Sequence, residues 1–176
     1  MKPLAQQFHD AIITPVLHDL ACEEANGQAE SPQAKTLLLA TAAQETHLGR
    51  YLLQVGTTSE NRALGIYGHE PNTINDLYTT YLREGTSARR YTLLRWVEHW
   101  KSGRMNRLQA VVGNLFYATA LCRLHYWRFS EPIPENLPGI FRYYKKYWNS
   151  LSGKATWEQF ERNYYTYVTP RTKRKS

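Results

Sequence analysis

The sequence contains little sulfur: two cysteines and two methionines among 176 residues. Cys22 and Cys122 are too few for a disulfide scaffold or a cysteine-rich zinc site, so both of these classes are excluded. Each cysteine lies in an apolar helical pattern, which predicts free and buried thiols. The fold must therefore be held together by an apolar core, and a chain of this length can bury one.

The sequence also lacks a long apolar run. No segment approaches the roughly 20 consecutive apolar residues that a transmembrane helix needs, so we expect no membrane span. The first twenty residues carry charges and Pro15 where a secretory signal would have its apolar region. We therefore expect synthesis in the cytoplasm, and action elsewhere would require another route of delivery.

Acidic residues are in the minority: 15 Asp and Glu stand against 22 Lys and Arg, for a net charge of +7. This balance favours polyanionic partners such as nucleic acid, cell-wall polymers or acidic lipid headgroups. Part of the excess lies in residues 171–176, at the end of "TPRTKRKS", which we interpret as a solvated basic tail. Nucleic-acid binding through this tail and nearby tyrosines is an alternative.

Helical periodicity and aromatic side chains are abundant. Hydrophobic residues make up 42% of the chain and aromatic residues 13%, which argues against a disordered protein. Phe8, Ile12, Val16 and Leu20 recur at every fourth position, as on the apolar face of a helix. Similar patterns follow along the chain, without strand-period segments, internal repeats or a domain linker. The sequence predicts one all-α domain over residues 1–170.

One apolar helix carries the first candidate for chemistry. Ser31 and Pro32 are typical of an N-cap followed by proline in the first turn. The helix that they begin is apolar on most faces, which predicts a buried helix. It should end close to Glu45, with Gly49 or Gly56 able to stop it.

Other helix boundaries follow from local signals. Asn72 or Thr73 can cap a helix in the middle of the chain. The pattern then predicts one long helix from about residue 108 to residue 129. Thr156 and Gln159 fit a capping box at the start of the last helix.

Glu45 lies between the end of the apolar helix and a glycine-rich loop over residues 56–71, an order that can form a cleft. Burial at the helix end would raise the pKa of its carboxyl group. A carboxylic acid that is still protonated near neutral pH can donate its proton to a leaving oxygen, as glycosidic cleavage requires. A solvated acid at a helix end would explain the same position.

Two motifs in this region resemble those of the lysozyme-like soluble lytic transglycosylases. "AAQETHLG" is similar to the family's helix that ends in Glu-Ser, with Thr46 in place of the serine. "GIYGHEPNT" aligns without a gap with its loop motif Gly-Leu-Met-Gln-x-Met-Pro-x-Thr. The resemblance implies a lysozyme-like helical domain with an active-site cleft, in which Glu45 is the general acid and then the base.

The same resemblance implies a set of substrate-binding residues, with Thr46 also orienting Glu45 through its hydroxyl group. The residues implied are Thr46, Gly65, Ile66, Tyr67, Gly68, Glu70 and Tyr117. Two of them mark departures from the family. Gly68 replaces the loop glutamine that contacts the sugar, and Tyr117 in "FYATA" is only a partial match to the third motif, Tyr-Asn-Ala-Gly.

Glu70 admits two interpretations. As a second carboxylate facing Glu45 it could activate water and make the enzyme a hydrolase. As an acid just before Pro71 and a helix start it would stabilise the positive end of that helix, and we favour this role. A metal site formed by Glu45, His47 and His69 would lack an HExxH motif or paired cysteines, so we expect neither a metal nor a cofactor.

Most of the chain, including "YATALCRLHYWRFSEPIPENL", also resembles a group of bacteriophage proteins encoded near virion genes. Together the resemblances imply a phage enzyme that cleaves the bond between N-acetylmuramic acid and N-acetylglucosamine in peptidoglycan. It would be associated with the virion or act on the bacterial cell wall. The alternative is a catalytically inactive virion or tail protein that binds other virion proteins, with its aromatic C-terminal third as the interface.

Overall fold

The computed structural model describes residues 1–24, 26–54, 62–83, 87–101, 103–150 and 153–170, so the basic tail and Gly56 lie outside the described residues. The α-helices are α1 (Pro3–Phe8), α2 (Thr14–Glu23), α3 (Pro32–Thr46), α4 (Pro71–Asp76), α5 (Ala88–Lys101), α6 (Arg107–Gly113), α7 (Leu115–Trp127), α8 (Leu137–Tyr144) and α9 (Trp157–Tyr167). π-Helical segments over His9–Ile13, Leu77–Tyr81 and Lys145–Asn149 follow α1, α4 and α8, and a 3₁₀ turn over Gly27–Glu30 precedes α3.

Extended pairing is minimal. Within the described ranges it consists of isolated antiparallel bridges, from Leu64 to Leu53 and from Leu64 to His69. The predicted all-α fold is confirmed. No helix among the described residues combines the length and the apolar composition that a membrane crossing requires.

Helix α7 lies at the centre of the molecule. Every residue from Tyr117 to Tyr126 is buried, and the helix packs against α2, α3, α5 and α6. A helix covered on most sides has no solvent-exposed polar face, and most of the buried side chains of α7 are apolar, with Thr119, Arg123 and His125 as exceptions. The core extends from this helix to both ends of the described chain, from Ala5 to Val168.

Aromatic side chains of the C-terminal third belong to this core. The Phe160 ring lies 5.2 Å from the ring of Phe141 and 5.2 Å from that of Tyr144. Tyr144 and Phe160 are both almost completely buried. These two rings therefore supply packing area in the core.

Asn114 divides the helix that we expected over residues 108–129. Its backbone is extended, its side-chain oxygen accepts the Tyr117 N–H at 3.0 Å, and its side-chain nitrogen donates to the carbonyls of Trp100 and Lys101. The amide thus caps α7 and ties it to the end of α5. The prediction of a single helix was wrong because a capping asparagine was taken for a helical one.

Two further local predictions were wrong. Helix α4 begins at Pro71, with Glu70 in the N-cap position, so neither Asn72 nor Thr73 caps it. Cys122 is buried, as expected, whereas Cys22 is exposed; both thiols are free.

Candidate active site

Glu45 lies in the last turn of α3, whose two ends the sequence locates correctly. The Ser31 hydroxyl accepts the Ala34 N–H at 3.2 Å with Pro32 in the first turn, and the helix ends at Thr46. His47, rather than a glycine, adopts the left-handed conformation that stops it. Because α3 is buried along most of its length, its final turn holds the partly buried Glu45 in a fixed position.

The turn after Glu45 is strained. His47, Leu48 and Gly49 have successive φ angles of 55°, 59° and 83°. Positive φ is uncommon for residues with side chains, and such strain persists only where the surroundings enforce it. The His47 ring is held between Tyr51 and Tyr167, stacked on the latter at 4.7 Å between centroids.

Thr46 joins the helix end to the loop. Its hydroxyl donates to the Ile66 carbonyl at 2.6 Å, with the Ala42 carbonyl at 3.2 Å, and accepts the Gly49 N–H at 2.9 Å. The resemblance implies a contact between this hydroxyl and Glu45, but the structure directs it to the loop instead. Thr46 therefore positions the wall of the cleft and acts on Glu45 only indirectly.

The loop over residues 64–69 is a tight hairpin. Leu64 and His69 exchange backbone hydrogen bonds of 2.9 and 2.8 Å, and Gly68 N–H donates to the Gly65 carbonyl at 3.0 Å. Gly65 and Gly68 have φ angles of 71° and 64°, which favour glycine. A Cβ on Gly65 would lie 2.2 Å from the Val111 carbonyl oxygen, so this glycine seats the hairpin against α6.

Gly68 brings the loop backbone against the acid. A Cβ there would lie 3.1 Å from Glu45 Oε2 and 3.3 Å from Glu45 Cβ. Gly68 stands where the resembled family has a glutamine. Its positive φ and its close approach to the Glu45 side chain both favour glycine at this position. The departure is tied to the tight packing of this loop on the carboxyl group.

The pKa of Glu45 is raised to about 7, mainly by burial and to a smaller extent by the negative charge of Glu70. A hydrogen bond from the Tyr144 hydroxyl to Glu45 Oε1, at 2.6 Å, opposes the shift because it stabilises the carboxylate. The carboxyl group is therefore substantially protonated at neutral pH, as a general acid must be.

A cleft of about 540 Å³ opens beside Glu45. It is lined by Gln44, Glu45, Thr46, His47, Tyr51, Leu53, Gln54, Ala63, Gly65, Gly68, Glu70, Thr73, His125, Trp148, Asn149 and Gln159. Its size is in the range of sites that bind small organic molecules, and its many amide side chains suit a polar ligand such as a saccharide. Glu70 is exposed at the cleft, and its side chain makes no capping hydrogen bond to α4.

One side of the cleft is formed by residues that lie about 80 to 95 positions after the loop in the sequence. Trp148, Asn149 and Gln159 line it, and Gln44 is fixed by a 3.1 Å hydrogen bond from Asn163. Thr156 caps α9 by accepting the Gln159 N–H at 3.3 Å, while the Gln159 side chain faces the cleft. The sequence assigned none of these residues to the cleft, nor Tyr144. It indicated Gln159 only as part of a capping box, of which the structure forms the Thr156 cap.

Two neutral histidines lie beside Trp148. His69 is 1% exposed with neither ring nitrogen hydrogen-bonded among the described residues, and burial lowers its pKa to about 3. His125 donates its Nε2–H to the Tyr147 carbonyl oxygen at 2.6 Å, and burial lowers its pKa to about 4. Both rings pack edge-on against Trp148, so they hold one wall of the cleft without adding charge.

The structure brings together only part of the predicted set. Glu45, Thr46, Gly65, Gly68 and Glu70 line the cleft. Three of the predicted substrate-binding residues are buried elsewhere and are not part of the lining: Ile66, Tyr67 and Tyr117.

The hydroxyl groups of the two buried tyrosines are occupied by other residues of the protein. The Tyr117 hydroxyl lies 3.0 Å from that of Tyr78, and the Tyr67 hydroxyl 3.2 Å from that of Thr119. These side chains support the fold, and Tyr117 in particular does not supply the missing third motif.

Among the described residues, no group of three or more His, Cys, Asp or Glu side chains is arranged to hold a metal ion. No family model matches the chain, and neither curated proteins nor solved structures show a significant similarity to it. The resemblance of the two motifs to the lytic transglycosylases stays a prediction, to be weighed against the geometry of the cleft.

Proposed function

We propose that this protein cleaves glycan strands of bacterial peptidoglycan at the bond between N-acetylmuramic acid and N-acetylglucosamine, with Glu45 as the single general acid and base. The observation that carries the proposal is the carboxyl group of Glu45 at the wall of a cleft of about 540 Å³, where burial raises its pKa to about 7. The positions of Gly65 and Gly68 in the wall of the same cleft support it.

In this proposal Glu45 donates its proton to the glycosidic oxygen as the bond to the anomeric carbon breaks. The resulting carboxylate then accepts a proton from the nucleophile that attacks that carbon. The nucleophile is the C6 hydroxyl of the muramic acid residue, which gives an anhydro product, or water, which gives a reducing end. Tyr144 keeps the carboxyl group oriented and stabilises the carboxylate between the two steps.

The position of Glu70 bears on the choice between these products. Its side chain is exposed at the cleft and its charge acts on Glu45, so it is available to activate a water molecule. The structure thus adds weight to the hydrolytic role that the sequence left as the less favoured of two. Its place at the start of α4 is compatible with both roles.

The test is mass spectrometry of the muropeptides that purified cell walls release. The wild-type protein should release them, and Glu45→Gln should lower the rate by about 10²- to 10⁴-fold because the proton donor is lost. Gln at this position can still accept the Tyr144 hydrogen bond, so the cleft should remain intact. Release that survives the substitution would contradict the mechanism.

Glu70→Gln is the matched variant on the same cleft. If Glu70 rather than Glu45 activates water, the wild-type products carry reducing ends and Glu70→Gln lowers their yield. Reducing-end products that persist in Glu70→Gln would instead assign the activation of water to Glu45. If the C6 hydroxyl attacks, the products are anhydro sugars and Glu70→Gln leaves their yield within about threefold of wild type.

A second candidate is an inactive phage virion or tail protein that keeps the cleft. Gly68 favours it, because the loop presents no side chain to a sugar where the resembled family has glutamine. In that case the wild-type protein releases no muropeptides and co-sediments with phage particles. The enzyme would act at the bacterial cell wall, and both candidates include virion proteins as partners. Nucleic-acid binding by residues 171–176 is compatible with either candidate.

A further inference from the structure

Arg123 is a buried base with no acidic partner. Its side chain is 2% exposed in the middle of α7. Nε donates to the Ala29 carbonyl at 3.1 Å, and the guanidinium lies 4.5 Å from the centre of the Trp127 ring. Among the described residues no carboxylate lies within ion-pair distance of the Arg123 guanidinium.

The guanidinium faces a second cavity, of about 290 Å³, which we call the Arg123 pocket. It is lined by Gln28, Ser31, Gln33, Arg123, Tyr126, Trp127, Phe129, Ser130, Glu131, Pro132, Ile133 and Tyr143, none of which lines the cleft of Glu45. The walls are largely aromatic and apolar, whereas the rim carries hydroxyl and amide groups. Such a pocket suits a small ligand with an apolar body and one polar end.

The charges around the pocket favour a negative end. Helix α3 begins at its rim, where Ser31 and Gln33 lie, and a helix N-terminus is electropositive. The one acid in the lining, Glu131, is bound to Lys146 and to the Tyr147 hydroxyl, at 2.5 Å each. The charge of Glu131 is thus compensated by another residue, and that of Arg123 is not.

A buried, uncompensated charge destabilises a protein unless a partner completes it. A guanidinium is planar and matches the two oxygens of a carboxylate. We propose that the Arg123 pocket binds a small organic carboxylate, with Arg123 as its counter-ion and the aromatic walls around its apolar part. This site is independent of the function proposed for the cleft.

Isothermal titration at constant ionic strength tests the proposal, with benzoate as the probe and benzamide as the neutral molecule of the same shape. Benzoate should bind saturably, with a dissociation constant of roughly 1–10 mM for a ligand this small. Benzamide should bind at least about 10-fold more weakly, because it cannot form charge-assisted hydrogen bonds. Equal affinity for the two probes, or no saturation by benzoate well above that range, would overturn the proposal.

Variants locate the site. Arg123→Met should weaken benzoate binding at least about 10-fold. Ser130→Asp tests the same point without touching the core, since it places a competing carboxylate at the exposed rim; Ser130→Asn is its matched control and should bind as the wild type does. Glu45→Gln should leave benzoate binding unchanged. Binding that survives Ser130→Asp, or that is lost in Glu45→Gln, would overturn the assignment.

Discussion

Glu45 is a partly buried and Arg123 a fully buried ionisable side chain, and they are of opposite sign. Neither has an oppositely charged partner among the described residues. Glu45 has the Tyr144 hydroxyl, and burial raises its pKa to about 7. Arg123 has a carbonyl and an indole ring, and burial lowers its pKa only to about 10. The acid can therefore become neutral at physiological pH, whereas the base remains charged.

The difference indicates what each site can do. A carboxyl group that holds its proton near neutral pH can deliver that proton to a substrate. A guanidinium that cannot lose its charge is instead suited to bind an anion. The same physical cause, burial without a partner, thus gives a candidate proton donor in one region and a candidate anion site in the other.

Glu45→Gln tests the first half of this comparison through stability. The folded pKa of about 7 exceeds the ordinary value of 4.5, so the contribution of Glu45 to stability is complete below pH 4.5 and is lost as pH rises through 7. Relative to the wild type, Glu45→Gln should gain on the order of 3 kcal/mol in unfolding free energy between pH 4 and pH 8. Urea unfolding across this range measures the gain.

Arg123→Met is the contrasting variant. Because Arg123 stays charged throughout that range, its replacement should shift the whole curve of unfolding free energy against pH without changing its shape. A curve for Glu45→Gln that stays parallel to the wild type would contradict the raised pKa.

His69→Leu extends the comparison to a buried base that can lose its charge. The folded pKa of about 3 is below the ordinary 6.5, so the contribution of His69 to stability is complete above pH 6.5 and is lost as pH falls. His69→Leu should therefore change the unfolding free energy more favourably at pH 4 than at pH 7, by roughly 3 kcal/mol. Urea unfolding at both pH values checks this, and equal effects would contradict a buried neutral His69.

Gly68→Ala tests how tightly the loop packs on the acid. The positive φ and the 3.1 Å approach to Glu45 Oε2 should make alanine destabilising by about 2 kcal/mol. Gly27→Ala is the matched control, since nothing lies within 4 Å of a Cβ there, and it should change stability by less than about 0.5 kcal/mol. Similar urea midpoints for the two variants would contradict the packing described for Gly68.

Tyr144→Phe should have the smallest effect. The Tyr144 hydrogen bond lowers the pKa of Glu45, so its loss should raise that pKa by about one unit. If Glu45 is the general acid, the alkaline limit of muropeptide release should move upward with it. A limit that stays in place while total activity falls would assign Tyr144 a purely structural role.

The parts of the site that depend on residues close together in the sequence could be predicted from the sequence. Ser31 and Pro32 located the start of α3, and its apolar composition indicated burial up to Glu45. The helix boundary at Asn114 was missed because the same amide serves as a cap or as a helical residue, depending on the carbonyls of α5 that it meets.

The other side of the cleft could not be predicted in this way. Tyr144 and Gln159 approach Glu45 only because α8 and α9 fold back onto α3, and no local pattern specifies that contact. Tyr117 was assigned to the cleft by motif resemblance, whereas its position in the buried part of helix α7 places it in the core. Arg123 gave no signal, since an arginine in a helix is ordinarily solvent-exposed.

The central claim is that burial makes Glu45 a proton donor near neutral pH, and its most direct test needs no substrate. The side-chain carboxyl carbons of glutamate can be followed by ¹³C NMR from pH 4 to pH 9, with Glu45→Gln identifying the resonance of Glu45. We predict one resonance that titrates near pH 7, moves upward in Tyr144→Phe and is absent in Glu45→Gln. A Glu45 resonance that titrates near pH 4.5 would contradict the account.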